Sequence, residues 1–158
     1  VTYGVQLAQK NKLPKVIIDF ILEHHGRGLA KYFYNTAVNE HPGETIDPEK
    51  FRYPGPNPQT RETALLMMAD AVEAASRSLK DFSVENINSL VDRIIDSQVS
   101  DGLFRESPLS FRDLETVRAT FKKRLATIYH SRVAYPEIHS HEAVEAQTAT
   151  TPSTAVAK

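Results

Sequence analysis

The 158-residue sequence contains no cysteine and no tryptophan. Without thiols there is no disulfide, no thiolate zinc site and no cysteine nucleophile, so any metal must rest on histidine and carboxylate. The reducing cytoplasm suits such a chain without being required by it. The sequence also has little excess of either charge: 19 Lys and Arg stand against 20 Asp and Glu, a formal net charge of −1 at pH 7. That balance gives no broad attraction to a nucleic-acid polymer or an anionic membrane, so phosphate binding has to come from a local site. No apolar run reaches the roughly 18 residues that suggest a membrane span. The opening "VTYGVQLAQKNKLPK" lacks the basic, apolar and small-residue blocks of a signal peptide. Strand-type alternation and internal repeats are missing as well.

What is present suits one helical domain. Hydrophobic residues make up 41% and charged residues 25% of the chain, ordinary values for a soluble domain with a core. Val5, Leu7 and Ala8 suggest a helix ending near Asn11, and Pro14 is well placed in the first turn of a second helix that runs to His25. The apolar residues of that helix, Val16, Ile17, Ile18, Phe20, Ile21 and Leu22, cover more than one face, so it is expected to be buried among other helices. Gly26 and Gly28 stop it. "LAKYFYNTAVNE" reads as a third helix ending before the "HPGE" break. Residues 41 to 59 form the longest loop, stiffened by prolines at 54, 56 and 58.

Thr60 can cap a fourth helix, with Ala64, Leu65, Met68, Val72, Ala75 and Leu79 at helical spacing. Ser83 begins a fifth, with Ile87, Leu90, Val91, Ile94 and Ile95 facing the core and Gly102 as its stop. Ser110 with Asp113 begins a sixth, whose stripe is Leu114, Val117, Phe121, Leu125 and Ile128. From about His139 the composition turns small and polar, so residues 139–158 are expected to be a disordered tail and residues 1–138 the domain. His139 and His141 form an H-x-H pair, read there as solvated.

Few residues have chemistry to offer. "FILEHHGRG" places His24 and His25 side by side at the end of the second helix. Adjacent residues on a helix are rotated by about 100°, so the pair suits two neighbouring metals, or one metal and a phosphate, better than a single shared ion. Helix C-termini also attract histidine through the macrodipole, and spacing alone leaves both readings open. Asp70 interrupts the small and apolar "ALLMMADAVEAA", where a carboxylate needs a cation or a metal as partner. Arg77 lies on roughly the same face and is a candidate partner, although Glu73 and Arg77 also make an ordinary i,i+4 pair. Arg27, Lys31, Arg52 and Arg61 can supply cations to a phosphate, and Tyr32, Tyr34 and Tyr53 can stack on a base.

Four stretches taken in order, "GVQLAQKNKLPKVIIDFILEHHG", "KYFYN", "FRYPGPNPQTRETALLMMADAVEAASRSL" and "VDRIIDSQVSDGLF", resemble the C-terminal two thirds of the cytoplasmic HD domain of bacterial seven-transmembrane HD proteins, the PgpH type. The resemblance runs from about residue 4 to 136 and includes the closing "HSRVAYPE". It implies an all-α HD-domain phosphohydrolase bundle lacking its N-terminal helices. It also implies a metal-dependent phosphodiesterase that cleaves cyclic di-AMP to linear pApA with two iron or manganese ions. In such sites paired cations lower the pKa of a bridging water and neutralise phosphate charge during in-line attack, so the implied nucleophile is a metal-bound hydroxide rather than a side chain.

By that resemblance His24, His25 and Asp70 are metal ligands, and Arg27, Lys31, Tyr34, Arg52 and Arg77 are candidates for contacting substrate. The remaining ligands of the family, a His, a His-Asp pair and a further His, have no counterpart and are expected before Val1. "GRG" stands where small hydroxyl residues are expected. The chain is therefore expected to be part of a longer protein attached to transmembrane helices, facing the cytoplasm, capable of self-association and inactive on its own. The alternative from a different class is a non-catalytic helical module that binds a nucleotide or partner and regulates a membrane protein.

Overall fold

The computed structural model describes residues 1–130, and the expectations for residues 131–158, including the tail, its His139 and His141, and most of "HSRVAYPE", lie outside the described residues. Six α-helices appear in order: α1 Thr2–Lys10, α2 Lys15–Glu23, α3 Lys31–Glu40, α4 Arg61–Ser76, α5 Val84–Ser100 and α6 Phe111–His130, with one 3-10 turn at Pro48–Phe51 between α3 and α4. The only strand-type feature among the described residues is an isolated antiparallel bridge between Leu29 and Arg52. That bridge explains why α3 starts at Lys31 and not at Leu29. Leu29 pairs with the loop, Ala30 makes a tight turn closed by the Lys31 N–H on the Leu29 carbonyl, and the Ala30 N–H donates to the Phe51 carbonyl at 2.8 Å.

The helices begin where the side chains can satisfy their first N–H groups. Thr60 and Thr63 form a reciprocal capping box at α4, and Ser110 and Asp113 exchange hydrogen bonds at α6, in each case pairing donors that the helix itself cannot. Pro14 sits one position earlier than its expected place, as the cap of α2. Gly26 and Gly102 adopt φ of +51° and +71°, the left-handed conformation in which glycine ends a helix without a Cβ clash. Helix α4 stops at Ser76, three residues before Leu79, which still packs on the core from the following turn.

Met68 and Val72 of α4, Ile87, Val91 and Ile95 of α5, and Leu125 of α6 form the buried core. Leu65 of α4 and Ile128 of α6, expected in the stripes, are instead 43% and 48% exposed. The buried face of α4 is shifted by one position onto Ala64, Met67, Met68 and Val72. Polar pairs lock the same three helices: Ser76 Oγ lies 2.9 Å from the Tyr129 hydroxyl. Arg118 of α6 reaches Asp92 at 3.2 Å and Asp96 at 2.6 Å on α5, and Lys122 reaches Asp92 at 2.7 Å.

The first two helices behave differently. They pack on each other and α2 packs on α4, yet Tyr3, Leu7, Leu13, Val16 and Ile17 are exposed. The expected burial of α2 among helices is not met within the described residues, where only Glu23 of that helix is buried. Its packing on α4 nonetheless fixes where it ends, and it ends at the histidines.

Candidate metal centre

Helix α2 closes at Glu23, with His24 as its cap. Because Gly26 then turns the chain at φ +51°, His25 is no longer part of a regular helix and the 100° separation of adjacent helical residues does not apply. The two imidazoles come together instead, with ring centroids 4.0 Å apart, and both line one cleft of about 340 Å³. The ring of His24 is held from behind, since its Nδ1 lies 2.9 Å from the Ile21 carbonyl oxygen. A carbonyl only accepts, so Nδ1 carries the hydrogen, and in the neutral ring Nε2 keeps its lone pair.

His25 Nδ1 faces Asp70 Oδ2 at 3.6 Å, too long for a hydrogen bond. Two donors each about 2.1 Å from a shared cation stand roughly 3–3.5 Å apart, so the pair stands just beyond the spacing of two ligands on one ion. Burial, and next the neighbouring His24, push the His25 pKa below its usual value, against the pull of Asp70. Its imidazole is therefore neutral at neutral pH, the form that binds metal. Tyr53 from the proline loop stacks on the outer face of His25, with centroids 4.2 Å apart and planes 23° apart.

Asp70, expected to need a buried partner, has a side chain that is 44% exposed and opens into the cleft. Arg77 is not that partner: it binds Glu73 at 2.7 Å on the neighbouring turn. Of the candidate substrate residues, Lys31 lines the cleft and donates from Nζ to Ser97 Oγ at 2.6 Å. Arg27, Tyr34, Arg52 and Arg77 do not line it. Arg27 lies 3.8 Å from Glu49, Arg52 bonds Glu49 and the Arg27 carbonyl, and the Tyr34 ring packs edge-on against Phe51. The cleft also takes in Ser97 and Gln98 of α5, Asp101 at its C-terminal cap, and Ala71 and Ala74 of α4, none of which the sequence singles out as site residues. The small side chains of the alanines leave the space open.

Known proteins resolve what this cleft belongs to. No family model matches the chain. A protein of Bacillus subtilis named cyclic-di-AMP phosphodiesterase PgpH is 43% identical over 136 residues, and its namesake in Listeria monocytogenes is 37% identical over 134. An uncharacterised protein of Synechocystis is 39% identical over 140 residues. The crystal structure of the Listeria PgpH HD domain superposes with a TM-score of 0.73 at 36% identity, covering 80% of this chain and 58% of that one.

The chain is homologous to part of the PgpH HD domain.

It spans less than a fifth of the curated relatives: 19%, 18% and 17% of their lengths respectively. The Listeria HD domain has also been solved in complex with cyclic-di-AMP, and that structure matches with a TM-score of 0.75 at 36% identity. The all-helical HD architecture expected from the four motifs is thus the observed one. Among the described residues no three His, Asp or Glu side chains are grouped closely enough to hold a metal ion by themselves. The described residues bring together a histidine pair and a facing carboxylate, not a closed coordination shell.

Proposed function

We propose that this chain forms part of a metal-dependent phosphodiesterase domain that hydrolyses cyclic di-AMP to linear pApA, with His24, His25 and Asp70 among the ligands of two divalent ions, iron or manganese. One observation carries the reading: His25 and Asp70 face each other 3.6 Å apart beside His24, in a cleft of a chain homologous to an HD domain solved with cyclic-di-AMP. The charges of the cleft support it. Histidines aside, its lining has one cation, Lys31, against two carboxylates, Asp70 and Asp101. A substrate with two phosphates meets a net negative wall unless cations are added, and imidazole with carboxylate is a donor set suited to iron or manganese.

Bound ions would supply an activated water and neutralise charge on the scissile phosphate. The chain's own residues do the rest. His24 presents Nε2 because Ile21 holds its Nδ1–H, and His25 and Asp70 supply the facing nitrogen and oxygen. Lys31, also lining the cleft, is placed to meet a phosphate oxygen by releasing Ser97. Tyr32 and Phe33, 77% and 63% exposed and both lining the cleft, offer faces on which an adenine can stack. The reading includes attachment of the domain to membrane-spanning helices elsewhere in the parent protein, a cytoplasmic location and possible self-association through the exposed α1–α2 face. Among the described residues no helix is long and apolar enough to cross a membrane.

The test uses the complete HD domain carrying this sequence, stripped with chelator and reloaded with Mn²⁺ or Fe²⁺, with cyclic di-AMP and pApA separated by chromatography. Metal-dependent turnover that is lost in His24→Ala, His25→Ala and Asp70→Ala is expected. Turnover that survives chelation, or that survives all three substitutions, refutes the assignment. Binding without hydrolysis favours a regulatory nucleotide-binding module. The 158-residue polypeptide alone is expected to show no turnover, and robust hydrolysis by it would show that the remaining ligands are not needed.

A further inference from the structure

The proline loop, residues 52 to 59, meets the end of α2 in several specific ways. Glu23, only 6% exposed, accepts the Gln59 backbone N–H through Oε2 at 2.9 Å. Asn57 Oδ1 accepts the Arg27 N–H at 3.0 Å. Gly55 lies so close to the Leu22 carbonyl that a Cβ there would stand 2.3 Å from its oxygen. Tyr53 N–H donates to the Gly28 carbonyl at 3.0 Å, and the Tyr53 ring lies flat on His25. Prolines 54, 56 and 58 fix φ through this stretch, so the loop has little freedom to drift from these contacts.

The two histidines are held differently. His24 has the Ile21 carbonyl behind its Nδ1, the kind of outer hydrogen bond that orients a metal-binding imidazole. The His25 ring has no hydrogen bond among those of the described residues; the Asp70 carboxylate stands 3.6 Å from its Nδ1. We propose that loop 52–59 is a clamp on the end of α2 and that Tyr53 is a positioning residue for His25, its ring doing by stacking what the Ile21 carbonyl does for His24 by hydrogen bonding. The inference rests on reading His24, His25 and Asp70 as metal ligands. Glu23 belongs to the same device. Its buried carboxylate ties the residue before His24 to the far end of the loop, so that Tyr53 and His25 keep a common frame.

The experiment measures Mn²⁺ affinity by titration calorimetry, and the visible absorption of bound Co²⁺, in the complete HD domain carrying this sequence. Tyr53→Ala is expected to weaken Mn²⁺ binding roughly tenfold or more, the range for losing an outer-shell support, and to change the Co²⁺ spectrum. Tyr53→Phe keeps the ring face and is expected to stay near the parent in both readouts. Glu23→Gln keeps an acceptor oxygen for Gln59 and is expected to do the same, while Glu23→Ala follows Tyr53→Ala. If Tyr53→Ala does not fold, Tyr53→Leu, which keeps bulk without a π face, is read in its place. Unchanged affinity and spectrum in Tyr53→Ala or Tyr53→Leu overturns the proposal, as does a Tyr53→Phe loss equal to that of Tyr53→Ala. A parent domain that binds neither Mn²⁺ nor Co²⁺ overturns the ligand reading itself, a separate result.

Discussion

Gly55→Ala places a methyl group where the loop presses on α2. The added Cβ would stand 2.3 Å from the Leu22 carbonyl oxygen, whereas carbon and oxygen ordinarily approach to about 3.3 Å, an overlap of about 1 Å. Both partners are backbone, so no side-chain rotation relieves it and the loop must lift. Lifting stretches the Gln59 to Glu23 bond at 2.9 Å, the Arg27 to Asn57 bond at 3.0 Å and the Tyr53 to Gly28 bond at 3.0 Å. Each is worth about 0.5–1.5 kcal/mol net, so full detachment would cost about 1.5–4.5 kcal/mol. Overpacking strain of about 1–3 kcal/mol falls below that ceiling. Gly→Ala also restricts the unfolded chain, which returns about 0.4–1 kcal/mol. The expected net loss is about 1–2 kcal/mol, and with a urea m-value of about 1–3 kcal/mol/M the midpoint falls by roughly 0.3–2 M. Urea unfolding of the polypeptide followed by far-UV circular dichroism measures the shift, and the histidine ring NMR signals report whether His25 has moved. A midpoint that is unchanged or raised, with the His25 signals in place, refutes the account of a tight clamp.

Two further outcomes test the scaffold beneath the site. Met68→Ala, at a fully buried position in the α4–α5–α6 core, is expected to cost about 2–5 kcal/mol, and a loss under about 1 kcal/mol by urea unfolding would mean that this core is not packed as described. Asp92 has its carboxyl held below the usual carboxylate range, first by the Lys122 hydrogen bond and then by Arg118. Its stabilising contribution is therefore present above its unfolded pKa and is lost as pH falls through the lowered one. Stability followed from pH 5 to pH 2 should decline less steeply in Asp92→Asn than in the parent, and parallel curves would remove the carboxylate from the acid response.

The helices were legible because their apolar residues recur at helical spacing and because Thr60, Ser110, Gly26 and Gly102 mark ends that backbone chemistry demands. The shifted face of α4 was not, since Ala64, Leu65, Met67 and Met68 are all apolar, and only packing decides which of them turns inward. The site was partly visible. Resemblance brought out His24, His25 and Asp70, and the fold places them around one cleft, but spacing along a helix could not reveal that α2 would stop two residues early and bring the imidazoles together. Arg77 is the opposite case: it lies on the right face to be a partner for Asp70, yet the i,i+4 pairing with Glu73, the other reading that spacing leaves open, is the one that forms. Ser97 and Asp101 are ordinary polar residues near the end of a helix, and nothing local marks them as the wall of a cleft.

The bridge between Leu29 and Arg52 pins the two ends of the segment that carries α3. Residues 30 to 51 can therefore gain or lose length without disturbing the loop that follows. The rim of the cleft is free to vary while Tyr53 and His25 stay in register.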